Sequence, residues 1–422
     1  MSTTVDRQDG PGDAERLPAR AKAAVAAGRL TGAVSRAAGR GSGAVIGGRV
    51  ALRLDPDLLA RLASGRECVL VSATNGKTTT TRLIAEALRA LGPVASNALG
   101  ANMPAGITAA MADDRAARYA VIEVDEKYLP AVARQTAPKA IALLNLSRDQ
   151  LDRAAETRML AQRWRDGLAG TTATLVANAD DPLTVWAAEH AEHVVWVAAG
   201  QTWQDDAWSC PRCGGVLQRP DEVWHCAACG LSRPEPAWRL EGTALRDPLG
   251  VKIDLTGLAL PGRANRANAT TAAAVAGLFG VDPHTAVSRM QAVQAVAGRY
   301  DTVQYRGRSL RLLLAKNPAG WLETFDLVAE TDDPVLLSVN ALGADGTDTS
   351  WLWDVDYTRL AGRPVLVIGQ RRLDLAVRLQ VAGVDFTVYE DVDAAVNHAP
   401  PGPIDAIANY TAFQQLRRKV GA

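Results

Sequence analysis

The chain has 422 residues, enough for about three domains of ~150 residues, or two with an insertion. Its 46 Lys and Arg balance 46 Asp and Glu, which argues against a nucleic-acid binder or a polybasic membrane clamp working by bulk electrostatics. Hydrophobic residues at 48% and charged ones at 22% are an ordinary globular composition, and no run approaches the ~18 apolar residues of a membrane span. Five cysteines do not make a secreted disulfide scaffold. The polar, acidic start from Met1 to Leu17 lacks the basic head and apolar body of a signal peptide, so the expected compartment is the cytoplasm.

In chain order, residues 1 to about 15 read as a disordered tail and 16–38 as an Ala/Arg-rich helix. A glycine-rich connection follows from Gly39 to Gly48. From about residue 67 strand and helix alternate. ECVLVSA leads into an amphipathic helix from Lys77 to Leu91, and further buried strands are YAVIEVDE (119–126), AIALLNL (140–146), TATLVAN (172–178) and VVWVAA (194–199). Such alternation predicts a parallel sheet with helices on its faces. An insertion interrupts it at about 203–232, and helices resume at Asn265–Phe279 and Pro283–Val296. After Gly298-Arg299 a second α/β series begins: RSLRLLLA, PVLLSVNA, PVLVIG and DFTVYE as strands, with a helix at Leu373–Val381. The expected division is an N-terminal tail and helix (1–40), a central domain (41–298) and a C-terminal domain (299–422), with Gly298 as the hinge.

The insertion carries Cys210-Pro-Arg-Cys213 and Cys226-Ala-Ala-Cys229. Two such knuckles gather four thiolates around a tetrahedral ion, the preference of Zn²⁺. Gly214, Gly215 and Gly230 supply the tight turns. With cysteine at all four positions none stays open for water, so the site reads as a structural zinc ribbon rather than a catalytic centre. That leaves Cys68, at the start of a buried strand, where core packing is its expected role.

The sharpest motif is Ser72-Ala73-Thr74-Asn75-Gly76-Lys77-Thr78-Thr79-Thr80. It leaves a buried strand and opens a helix, so backbone N–H groups and the helix dipole face a bound phosphate. In this reading Thr74, Asn75, Gly76, Lys77, Thr78 and Thr79 hold ATP. Lys77 reaches the β- and γ-phosphates, and the Thr78 hydroxyl sits on Mg²⁺. A strict Walker loop has an earlier glycine where this chain has Ser72 and Ala73.

These residues resemble the ATP loop of the Mur ligases, and the resemblance extends along the chain. Glu123 stands where that family places a magnesium-binding carboxylate. NLSRDQLD (145–152) is similar to the family's N-x-x-x-D-H-L-D segment, with Gln150 in place of histidine, and Asn178-Ala-Asp180-Asp181-Pro182 matches another signature. Gly262 to Asn268 resembles the helix start whose asparagines contact adenine, here Asn265 and Asn268, with Ala264 at the usual histidine. Gly298-Arg299 matches the pair that opens the family's C-terminal domain. Lys316-Asn317-Pro318 resembles its H-N-P segment, although Leu313 stands where an aspartate is common. The resemblance thus adds Asn265, Asn268, Arg299 and Lys316 to the ATP-binding set. It implies an α/β fold, a Mur ligase-like central P-loop ATPase domain with a Cys₄ zinc-ribbon insertion plus a C-terminal Rossmann-like α/β domain. Only about 70 residues precede the loop, too few for the family's first, nucleotide-sugar domain.

The ribbon, SNALGANMPAGI (96–107), NLSRDQLDR and DTSWLWDVDY (348–357) narrow the resemblance to the MurT subfamily, the ligase subunit of lipid II isoglutaminyl synthase. It implies ATP- and Mg²⁺-dependent amidation of the α-carboxyl of D-glutamate in the lipid II stem peptide, through an acyl phosphate. The ammonia needs a source. No Gly-x-Cys-x-Gly elbow occurs in the chain and Cys68 is badly placed for glutamine hydrolysis, so a second polypeptide is implied, the glutaminase GatD in that family. The segment Trp351 to Tyr357 reads on its own as either a core edge or an interface. The resemblance implies that an aspartate there orients the partner's catalytic histidine, Asp354 first and Asp356 second. Lipid II lies at the membrane surface, so a peripheral position at its inner face is expected. Two rival readings are a folylpolyglutamate synthase-type ligase joining an amino acid, and a non-catalytic nucleotide-binding zinc-ribbon protein. The missing histidines and the ribbon weigh against the first; Lys77, Thr78 and Glu123 weigh against the second.

Overall fold

A computed structural model describes residues 17–39, 43–97, 101–148, 157–201, 203–220, 223–294, 300–343 and 345–421. The expected tail, Gln150, Asp152 and the Gly298-Arg299 pair, with the ATP contact expected of Arg299, lie outside the described residues.

The strand Glu67–Ser72 lies well inside a nine-stranded sheet because its side chains find apolar partners on both faces. Cys68 and Leu70 enter one core, with Ile122, Ile141 and Trp164; Val69 and Val71 enter the other, beneath the helices Lys77–Leu88 and Arg263–Gly277. The strand order is Lys252–Asp254, Ala244–Arg246, Trp238–Glu241, Val194–Ala198, Thr174–Asn178, Ala140–Leu143, Glu67–Ser72, Tyr119–Glu123, Val94–Ser96. Parallel register sets Leu70 opposite both Ile122 and Ile141. That places the ends of Glu67–Ser72 and Tyr119–Glu123 side by side, at the sheet edge where open α/β sheets take ligands. The sheet is not wholly parallel. At one edge Trp238–Glu241, Ala244–Arg246 and Lys252–Asp254 return on themselves antiparallel, because a tight turn with Gly242 at φ 61° needs no crossover helix.

A second, six-stranded sheet runs Tyr300–Tyr305, Arg308–Leu314, Ile404–Ala408, Val335–Ser338, Val365–Ile368, Phe386–Val388. It is parallel apart from the first pair, a Rossmann-like layer with helices on its faces. The sequence reading missed two of its strands. Tyr300–Tyr305 is polar and lies at the edge. Ile404–Ala408 carries Asp405 as its second residue, which argues against a buried strand until its partner is seen: Arg311 on the neighbouring strand donates from Nε and Nη2 at 2.6 and 2.7 Å.

The glycine-rich connection is also corrected. From Ala44 the chain is helical to Leu54 and packs as a hairpin on the helix Ala19–Ala37. Gly28 and Gly47 meet so closely that a Cβ on Gly28 would lie 2.7 Å from the Gly47 carbonyl oxygen. These glycines are spacers between helices, not breaks. Among the described residues no helix is long and apolar enough to cross a membrane.

Candidate functional site

The motif residues converge on a cleft of about 790 Å³ between the two sheets. Gly76 caps the helix Lys77–Leu88 with φ 83°, a backbone region L side chains rarely adopt. A Cβ there would also fall 2.8 Å from Asn268 Oδ1, so the loop and the start of Arg263–Gly277 are in direct contact. The segment after Ala140–Leu143 grips the loop from the other side. The Thr74 amide donates to the Asn145 carbonyl at 2.9 Å, and the Asn75 amide to Asn145 Oδ1 at 2.9 Å. Asn145 Nδ2 donates back to the Asn75 carbonyl at 3.0 Å, and the Thr74 hydroxyl to the Ser147 carbonyl at 3.1 Å. Asn75 Nδ2 then reaches Asn317 Oδ1 of the second domain at 3.2 Å.

Lys77 is buried, donating to the Ala73 carbonyl and paired with Glu126 Oε2 at 3.1 Å. Burial pushes the Glu126 carboxyl up from its ordinary range, and the Lys77 ammonium pulls it back only in part. The Thr78 hydroxyl donates to Glu123 Oε2 at 2.7 Å. Asn102 Nδ2 donates to Glu123 Oε1 at 3.2 Å, and Asn97 holds the Glu123 backbone through both its amide atoms at 2.8 Å. Sequence reasoning found Lys77, Thr78 and Glu123 but missed Glu126, Asn97 and Asn102. The acidic pair Asp125-Glu126 beyond the same strand was the available signal.

Thr74, Asn75, Gly76, Lys77, Thr78, Thr79, Glu123, Asn265, Asn268 and Lys316 all line the cleft. Asn265 Nδ2 donates to the Pro261 carbonyl at 2.6 Å, and the Lys316 ammonium lies 5.2 Å from the Tyr410 ring centroid. One end thus offers an ammonium, loop amides and a hydroxyl–carboxylate pair. Leu260, Pro261 and Leu327 make another wall apolar. Such a cleft fits a nucleoside triphosphate with a hard divalent cation at its phosphates.

The four insertion thiols lie within 4.8 Å of one another. Cys210 Sγ is 3.6 Å from Cys229 Sγ, and Cys213 Sγ 3.6 Å from Cys226 Sγ. That is too long for a disulfide at about 2.05 Å and close to the ~3.8 Å edge of a tetrahedron with Zn–S bonds of ~2.3 Å, so the donor set fits zinc. Trp224 sinks into the core beside them, its indole donating to the Ala179 carbonyl at 3.0 Å. Cys68 is fully buried and its thiol pushed up to about 11 by burial, which suits packing and not nucleophilic attack.

Asp354 and Asp356 do not line the cleft. They sit beside two short 3₁₀ turns, Ser350–Trp353 and Tyr357–Leu360, rather than at a strand end. The segment divides between core and surface. Tyr357 packs on Trp321 and Phe325 with centroids 6.0 and 5.9 Å apart, whereas Trp353 is 59% exposed. Asp356 accepts from the Thr358 amide at 3.1 Å and its hydroxyl at 2.5 Å, a cap for the second turn. Asp354 instead reaches across to the first domain, 3.3 Å from Arg148 Nη1. The Arg148 amide in turn donates to Asp206 at 2.8 Å. Arg148 drew no attention in the sequence, since one arginine in a loop carries no pattern.

Residues 71–209 match the Mur ligase middle domain family, and residues 314–413 the MurT ligase C-terminal family. Over 93% of its length the chain is 30% identical to the lipid II isoglutaminyl synthase (glutamine-hydrolyzing) subunit MurT of Streptococcus pneumoniae, covering 95% of that protein. It is 29% identical to the Staphylococcus aureus (strain COL) subunit of the same name, over 92% of this chain and 96% of that one. Among solved structures it is similar to a pseudomurein peptide ligase type C from Methanothermus fervidus, with TM-score 0.67 and 17% identity over 87% of this chain and 80% of that one. The Thermotoga maritima MurF ligase in complex with ADP gives TM-score 0.61 and 15% identity over 86% and 82%. At such identities the structural likeness is one of fold.

Proposed function

The chain belongs to the MurT family of lipid II isoglutaminyl synthase subunits, and from that premise we propose that it amidates the α-carboxyl of D-glutamate in the lipid II stem peptide, consuming ATP and ammonia. The observation that carries this reading is the meeting of Lys77, Thr78 and Glu123 at the end of one sheet, with Thr78 and Glu123 2.7 Å apart.

A carboxylate is a poor electrophile, so the γ-phosphoryl group first passes to a carboxylate oxygen, giving an acyl phosphate. Ammonia then attacks the carbonyl carbon. The C–N bond forms, the C–O bond to phosphate breaks, phosphate leaves with the bonding pair and the nitrogen sheds a proton. Lys77 exchanges Glu126 for phosphate oxygens, and the amides at the start of the helix Lys77–Leu88 face the same group. Thr78 and Glu123 are the residues that would hold magnesium, which when bound neutralises charge on the transferring phosphoryl group. Asn265 and Asn268 flank the adenine, with Arg299 and Lys316 completing the set. The four cysteines hold a structural zinc.

The ammonia comes from glutamine hydrolysed by a separate glutaminase chain in a heterodimer, and Asp354 orients that partner's histidine. Asp356 is committed to capping and serves as the control. The work is done in the cytoplasm, at the inner face of the membrane. The test is the chain with its glutaminase, given glutamine, ATP and lipid II, with the product weighed by mass spectrometry. One amide for one acid is expected; incorporation of an amino acid instead overturns the reading. In the same complex Asp354→Asn is expected to lower glutaminase turnover by about 10²–10⁴-fold, while Asp356→Asn keeps it. Full activity in Asp354→Asn removes that aspartate from the mechanism.

A further inference from the structure

The net charge of zero conceals a one-sided distribution. From Leu17 to Leu54 the chain has no aspartate, glutamate or aromatic residue, but it carries Arg20, Lys22, Arg29, Arg36, Arg49 and Arg53. These residues build the N-terminal hairpin. Its first helix turns Ala21, Ala24, Val25, Gly28 and Gly32 inward. The opposite face presents Leu30 and Val34 to solvent at 69% and 61% exposure, and the second helix adds Ile46 at 48%. Ala23, Ala26, Ala33 and Ala37 fall on the same outer stripe and are exposed. Lys22, Arg29 and Arg36 recur every seventh residue along one edge of it. Arg49 and Arg53 are exposed beside Ile46 on the second helix.

An apolar outer stripe edged with cations, of which Arg29 meets a carboxylate (Asp113 Oδ1 at 3.5 Å), suits a helix lying in the headgroup region of an anionic bilayer. There aliphatic side chains enter the acyl boundary while basic stems reach back to phosphate. A protein partner is the poorer fit, since stable protein interfaces centre on aromatic anchors and this face has none. The position in the fold is also suitable. The hairpin packs through Gly48 on Ala105 of the helix Pro104–Asp113, and the residues leading into that helix, Asn102 and Met103, line the cleft. One helix therefore separates the outer face from the cleft wall.

We infer that the outer face of this hairpin seats the protein on an anionic membrane surface. The inference rests on the reading above in one respect, that the substrate is lipid-anchored. The test is co-sedimentation of the complex with phosphatidylcholine vesicles, with and without phosphatidylglycerol. Binding is expected with the anionic lipid and should weaken with salt. Both Leu30→Glu/Val34→Glu and Arg49→Glu/Arg53→Glu are expected to lower partitioning by about tenfold or more. Both should leave unchanged the amidation of a soluble, lipid-free stem-peptide substrate. The arginine pair lies outside the packed core and keeps the test open if the first variant fails to fold. Failure of the wild type to bind, variants that bind equally well, or variants that instead change the oligomeric state overturn the inference. So does binding that emerges only after residues 1–16 are removed, since the acidic leader would then be the occupant. Vesicle binding is read without activity, so a failed amidation assay strikes the functional reading alone.

Discussion

Asn268 touches the loop glycine and not only the space where a base would lie, and this makes Gly76 the most constrained residue of the cleft. Gly76→Ala forces an L side chain to φ 83° and drives its Cβ to 2.8 Å from Asn268 Oδ1. ATP affinity measured by calorimetry is expected to fall at least about tenfold, because a non-glycine residue in the left-handed region costs about 1–2 kcal/mol before the clash is counted. Asp181 gives a second, pH-dependent prediction. It is fully buried, accepts from the Leu146 and Leu183 amides at 2.7 and 2.8 Å, and its carboxyl is pushed up to about 7 by burial, from an ordinary 3.8. A raised carboxyl pKa means that the fold favours the protonated form. Its contribution is complete below about 3.8 and is lost as pH rises through about 7. In denaturant titrations the Asp181 contribution should therefore make stability fall from about pH 4 to about pH 7, and Asp181→Asn should flatten that slope; equal slopes refute the assignment. At this scale the sequence was legible where side chains act through local backbone, as at Gly76 and Lys77. It was silent on Glu126, Asn97 and Arg148, whose meaning comes from partners 49, 26 and 206 residues away along the chain.

The insertion lends Leu217, Trp224 and Leu231 to the main core and is otherwise held by its thiols. Chelation of the four cysteines should release Trp224, which is only 2% exposed. The expected signs are a red-shifted tryptophan emission and a melting temperature lower by roughly 5–10 °C. An unchanged emission spectrum after complete metal removal would contradict a structural role. Elements whose periodicity matched their burial, such as Glu67–Ser72 and Lys77–Leu88, could be read directly. The second helix of the hairpin could not, because Gly47 and Gly48 signal a break in a sequence and a close approach in a fold. Asp405 misled in the same way, since its Arg311 partner stands 94 residues earlier.

At the scale of the molecule, contacts that cross between the domains connect the cleft to Asp354. Asn145 and Ser147 hold the loop, and Arg148, next in the chain, holds Asp354. The Arg148 and Asp354 side chains are 37% and 34% exposed, so their pairing adds at most about 1 kcal/mol. The same guanidinium also pairs with Asp206, whose side chain is only 3% exposed, so Arg148→Ala should lower the melting temperature by several degrees through that buried partner. It should lower glutaminase turnover in the complex several-fold, with partial recovery in Arg148→Lys; a variant with wild-type turnover would show that Arg148 does not position the aspartate. The ribbon has a different bearing on the whole. It departs after Ala198 and rejoins at Trp238, and Val197 and Trp238 are paired in adjacent strands. Its two ends are therefore about one strand spacing, ~4.8 Å, apart. A cassette mounted in this way can be gained or lost in descent without shifting the register of the ATPase sheet beneath it.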